Sequence, residues 1–161
     1  MKGVIFTAAL LMVSSVASAS ADDVSAYLKN LEDTAQQCSS LASGIALDNK
    51  LAQMRYEQDR RNYGADANGT PNPSDDLASE ATKVNKVEGC KTAAESKGAQ
   101  IYKDFVAGTK SPQMRADAKE VFSAWLADVN TIHISDEVET TREQSALNEA
   151  QSKLRTDALL Q

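Results

Sequence analysis

The chain is poor in the residues that do chemistry. It has one histidine, His133, and two cysteines. Zinc sites, two-histidine iron triads and Ser-His or Cys-His nucleophile pairs would all have to share His133. Carboxylate-bridged di-iron bundles need Glu-x-x-His on two helices, but Asn130 stands three residues before His133. No C-x-x-C-H run offers covalent haem attachment, and no C-x-x-C motif suggests redox exchange. A haem held by His133 with Met54 or Met114 is the one ligation the inventory allows. A lone histidine between helices reads more simply as a linker residue. No metal, cofactor or catalytic group is therefore expected.

Aromatics make up only 5% of the chain, so its core is expected to consist of small side chains. Long apolar runs are also scarce. The single run is Val4–Val16, preceded by Lys2 and followed by Ala17-Ser18-Ala19 and Ala19-Ser20-Ala21. A positive start, a short apolar stretch and small residues at alternate positions form the pattern of a secretory signal peptide. The stretch is shorter than the roughly 20 residues that span a bilayer. Residues 1–21 are expected to be removed, with cleavage after Ala19 or Ala21. Residues 22–161 then form one domain, periplasmic or secreted, without a membrane anchor.

Acidic residues exceed basic ones. Lys2 is the only charge in the removed segment, which leaves 16 basic against 23 acidic residues. Such a surface repels nucleic acid phosphates and anionic headgroups. In an oxidising compartment Cys38 and Cys90 are expected to pair. They close a loop of 52 residues, for which chain entropy gives about 4 kcal/mol.

Apolar residues step by three and four along most of the chain. Val24, Leu28, Leu31, Ala35, Cys38, Ala42 and Ile45 mark a first helix that continues through Ala52 and Tyr56, with Gly64 as its natural end. Residues 64–74 form a Gly/Pro/Asn loop. A second helix carries Leu77, Ala81, Val84, Val87, Cys90, Ala94, Gly98, Ile101 and Phe105. Ser111-Pro112 caps a third, with Met114, Ala118, Val121, Phe122, Trp125, Leu126, Val129 and Ile132 on one face. After a break at His133–Ser135, a fourth helix is expected to start at Ser135-Asp136-Glu137. Its stripe (Leu147, Ala150, Leu154, Ala158) is narrow and its first half almost wholly polar, which suggests an element that is peripheral or frayed at one end. The pattern predicts an all-α, antiparallel up-and-down bundle of about four helices, stapled by one disulfide. The staple raises a difficulty. If the first helix runs unbroken to Asn62, it extends further past Cys38 than the second extends before Cys90. Either it bends near Gly44 or the loop folds back along it.

Two features point to binding. Leu47, Leu51 and Met54 project away from the face shared by Leu41, Ala42, Ile45, Ala52 and Tyr56, as a partner or dimer surface would. A wider contact inside the bundle, or a bend at Gly44, would explain them equally well. Arg55, Tyr56, Arg60, Arg61 and Tyr63 gather at the helix end, and Arg and Tyr are enriched in binding hot spots. Cations also simply favour a helix C-terminus. Asp66–Thr70 resembles both a short acidic calcium loop and a bacterial glycosylation acceptor, and reads best as a turn. The expected function is a non-catalytic protein-binding module of the bacterial envelope, of inhibitor, immunity, chaperone or secretion-accessory type. A periplasmic carrier of a small ligand, haem or metal is the alternative, and an enzyme with a carboxylate-based site the third class.

Overall fold

The computed structural model describes residues 20–64, 77–135 and 141–160. Four helices follow in order: α1 (Ala21–Tyr63), α2 (Leu77–Gly108), α3 (Pro112–Thr131) and α4 (Arg142–Leu159). No strand occurs among the described residues. Each helix packs on its neighbours in sequence, and α4 closes back on α1, which makes a four-helix bundle of the expected kind.

Local chemistry sets the helix ends. The Ser20 hydroxyl accepts from the Asp23 N–H while the Asp23 carboxylate accepts from the Ser20 N–H, so two otherwise orphaned donors are satisfied. That hydrogen bonding holds the Asp23 carboxyl below its ordinary value. Gly64 ends α1 at φ 75°, a left-handed conformation that favours glycine. Ser111 caps α3 through the Met114 N–H, with Pro112 in the first turn, as the sequence implied. The fourth helix departs from expectation. Thr141, not Ser135, is its N-cap and accepts from the Gln144 N–H. Leu147, Ala150 and Leu154 are buried, and α3 and α4 share one of the two largest helix–helix contacts, so α4 is not peripheral.

One core joins all four helices. The indole of Trp125 reaches across the bundle from α3, donating from Nε1 to the Leu31 carbonyl of α1 at 2.9 Å. Tyr27 of α1 donates to the Ala118 carbonyl of α3 at the same distance, and burial pushes its phenol pKa up. Tyr27 stacks on Phe105, and Phe122 stacks on both Tyr102 and Trp125, so the few aromatics are concentrated in the core and it is not made of small side chains as composition suggested. Gly98 of α2 lies against the Trp125 ring, where a Cβ would overlap ring carbons. This explains a glycine in the middle of a 32-residue helix. Cys38 and Cys90 are bonded, with Cα atoms 5.6 Å apart.

Helix lengths are unequal, and this shapes the molecule. At 1.5 Å per residue, α3 and α4 are each about 30 Å long, α2 about 48 Å and α1 about 65 Å. Lys91 Nζ donates to the Asn130 carbonyl, so α3 ends about level with Lys91 and with the adjoining disulfide. Among the described helices, α1 and α2 continue beyond that level. α1 is helical straight through Gly44, and its additional length past Cys38 is the difference anticipated above. The loop at 65–76, with the Asp66–Thr70 turn, lies outside the described residues.

Candidate functional site

The two helices that outrun the bundle form an arm, residues 47–63 of α1 and 77–86 of α2. Residues 46–63 hold no β-branched residue, glycine or proline, so α1 persists there largely on intrinsic propensity. Glu57 adds an ion pair to Arg61 at 3.8 Å and accepts from Gln53 Nε2 at 3.4 Å. Exposed pairs of this kind contribute only tenths of a kcal/mol each.

Inside the arm, α1 turns Asn49, Ala52, Gln53, Tyr56 and Asp59 inward, all half-buried. Lys83 of α2 donates to Asn49 Oδ1 at 2.6 Å and to Glu80 at 2.8 Å. No arm residue with a described side chain is fully buried, and the core stops at Ala46 on α1 and Val87 on α2. The arm is therefore a solvated helix pair carried by a stapled base.

Its outer surface is not polar throughout. Leu47 is 55% exposed, Leu51 38%, Met54 50%, Leu77 78% and Val84 49%. Of the eight large apolar side chains exposed among the described residues, these five lie on the arm. Leu41 sits at its root, and Leu159 and Leu160 end α4. Leu47, Leu51 and Met54 form one stripe on the side of α1 opposite Tyr56 and the α2 contact. Leu77, Ala81 and Val84 were expected in the core stripe of α2. They face solvent because α3 ends before it can cover them.

The other candidates scatter. Arg55, Arg60 and Arg61 are exposed on the arm, and Tyr56 is half-buried towards α2. The side chain of Tyr63 lies outside the described residues. His133 is exposed in the linker after α3, its Nδ1 2.7 Å from the Thr131 carbonyl oxygen. No three His, Cys, Asp or Glu side chains among the described residues are arranged to hold a metal.

Two grooves mark the base. One of about 600 Å³ lies between α1 and α4, reached by Glu32, Trp125, Asp128, His133 and Arg155. Burial, with a smaller contribution from Glu143, raises the Asp128 pKa there. A shallower groove of about 460 Å³ lies between the start of α1 and the end of α2, beside Asp23, Tyr27 and Asp104.

One perturbed carboxyl pair does occur, and its signal was not legible in sequence. Asp117 of α3 is buried, 3.1 Å from Lys153 of α4 and 3.0 Å from Gln113. Burial pushes its pKa up, but hydrogen bonds from Asp157, Lys153 and Gln113 outweigh this and hold it low. Asp157 is correspondingly raised, chiefly by its hydrogen bond to Asp117. Each carboxyl thus shifts the titration of the other across the α3–α4 seam. Neither lines the two grooves described, and through Lys153 the pair ties α3 to α4.

Comparison with known proteins brings no relative to bear on these features. No family model matches the chain. No curated protein and no solved structure is significantly similar to it.

Proposed function

We propose that this chain is an exported, non-catalytic protein-binding module of the bacterial envelope, and that the α1–α2 arm is its docking element. One observation carries the reading. Where the four-helix core stops, the two continuing helices present Leu47, Leu51, Met54, Leu77 and Val84 to solvent. A solvated helix pair gains nothing from five such side chains unless another surface covers them. A stapled base presenting a long helical arm suits steric occupation of a site on another protein, with Arg55 and Arg61 beside the Leu47–Leu51–Met54 stripe and Arg60 exposed further round the helix.

Export is supported by the apolar N-terminal run and fits the Cys38–Cys90 bond. Of the two cleavage positions, removal after Ala19 keeps Ser20 and with it the capping box of α1, whereas removal after Ala21 destroys it. We take Ser20 as the mature N-terminus. No helix among the described residues is long and apolar enough to cross a membrane.

The test is an affinity capture from envelope extract using the wild-type chain and Leu51→Glu side by side, read by mass spectrometry. Proteins held by the wild type and lost with the variant, at unchanged helicity, support the arm. Capture indifferent to the arm overturns it, and the bait's own N-terminus, expected at Ser20, reports on export. The α1–α4 groove keeps a small-molecule carrier as the second reading. It falls within the size range of ligand sites, and a small molecule co-purifying with the bait would favour it.

A further inference from the structure

We propose that the outer face of α1 in the arm pairs with the same face of a second copy, antiparallel about a two-fold axis and in one register. The inference rests on the arm being a docking element and names the occupant of its α1 face. That face carries Gly44, Leu47, Leu51, Met54 and Gln58 at alternating three- and four-residue spacing, all exposed, which is the seam of a two-stranded coiled coil. Beside the seam stand Asp48 and Arg55 on one flank and Lys50 and Glu57 on the other, also exposed. In antiparallel helix pairs each flank meets its own counterpart, so the order of charges along a flank decides whether the sequence can pair with itself.

Consider the register that stacks Leu51 on Met54 of the second copy and Met54 on its Leu51. Leu47 then meets Gln58. On one flank Asp48 faces Arg55 of the second copy, and on the other Lys50 faces its Glu57. The two-fold axis repeats both, giving four opposite-charge pairs around the apolar layers. Moving the helices so that Leu47 stacks on Leu51 sets Asp48 against Asp48 and Lys50 against Lys50. Turning one helix over into a parallel pair sets Lys50 beside Arg55. The charges thus favour one arrangement and oppose its two nearest rivals.

Length agrees as well. In the favoured register Gly64, where α1 ends, lies opposite Leu41, which stands just past the level where α3 stops. Each arm therefore spans the other and ends at the shoulder of the opposite base. Three apolar side chains a copy over about four turns fall below the roughly 800 Å² per partner of a standard interface. The dimer is accordingly reversible, with a dissociation constant of micromolar order or weaker, on the order of 8 kcal/mol at most.

Sedimentation equilibrium of the purified protein across a concentration series tests this, with circular dichroism confirming the fold of each variant. The wild type should move from monomer to dimer mass as concentration rises. Leu51→Glu should stay monomeric throughout. Arg55→Asp sets carboxylates against Asp48 and should weaken the dimer by about tenfold, a change of roughly 1.4 kcal/mol. Adding Asp48→Arg to that variant exchanges the charges and should restore the wild-type constant.

A wild type that stays monomeric at several hundred micromolar, on the order expected to populate even a weak dimer, overturns the proposal. So does a charge exchange that fails to rescue. Tightening by Arg55→Asp would mean parallel pairing and likewise overturns it. The wider reading of the arm fails separately. If the wild type is monomeric yet Leu51→Glu loses captured proteins, only the self-pairing falls.

Discussion

Replacing Gly98 by alanine should destabilise the protein, although alanine is the better helix former. The Cβ would overlap the six-membered ring of Trp125. That ring cannot easily retreat. It is 1% exposed, held at Nε1 by the Leu31 carbonyl at 2.9 Å, and stacked against Phe122. Overpacking of this kind costs about 1–3 kcal/mol, and the depth of the overlap argues for the upper end. Helix propensity returns roughly 1 kcal/mol, leaving a net loss of about 2 kcal/mol. At roughly 3 °C per kcal/mol for a domain of this size, the melting temperature should fall by about 6 °C.

Gly89 on the same helix supplies the control. Nothing would lie within 4 Å of its Cβ, so Gly89→Ala should gain roughly 0.5–1 kcal/mol. Urea and thermal unfolding of the two variants should move in opposite directions. Trp125→Phe combined with Gly98→Ala should cost less than the sum of the single changes, because the smaller ring yields the space. If Gly98→Ala stabilises as much as Gly89→Ala, the indole does not pack on α2 and the account of the core is wrong.

Two further outcomes are expected. Replacing Cys38 and Cys90 together with alanine should cost about 4 kcal/mol and lower the melting temperature by roughly 12 °C; unchanged melting would mean that the thiols are not bonded. The opposite shifts at Asp117 and Asp157 should give stability two opposing pH responses around their ordinary value of 3.8. Asp117, held low in the fold, contributes above that value and loses its contribution as pH falls through the lowered folded pKa. Asp157, held high, contributes below it and loses its contribution as pH rises through the raised folded pKa. Asp157→Asn should abolish the second response and leave the protein at least as stable at neutral pH, whereas Asp117→Asn should weaken it by removing the buried partner of Lys153. Denaturant midpoints from pH 3 to 7 read both, and an Asp157→Asn profile that follows the wild type would refute the raised Asp157 carboxyl.

Much of the bundle was legible because helix pattern is local. Val24, Leu28 and Leu31 recur at intervals that place them on one face, and all are buried. Ser111-Pro112 and Gly64 terminate helices for reasons confined to a few residues. The start of α4 was misplaced because Ser135 and Thr141 both suit an N-cap, and periodicity cannot choose between caps six residues apart. Asp117 escaped notice for a different reason. Nothing near it in the chain marks it as buried, and its partners Lys153 and Asp157 come from another helix.

The candidate surface divides in the same way. That Leu47, Leu51 and Met54 lie off the core face of α1 follows from 3.6 residues per turn and needs no structure. Whether they meet a neighbouring helix or water depends on which sides of α1 its neighbours occupy, which no local pattern encodes. The stripe lies on the side turned away from α2, and the same side is exposed at Gln37 and Ser40 within the base. The ending of α3 level with Lys91 separately turned Leu77 and Val84 from expected core into exposed surface. Composition, spacing and capping determine which helices form and which face each one buries. Only packing determines how far the shared core extends, because burial belongs to pairs of elements rather than to either alone.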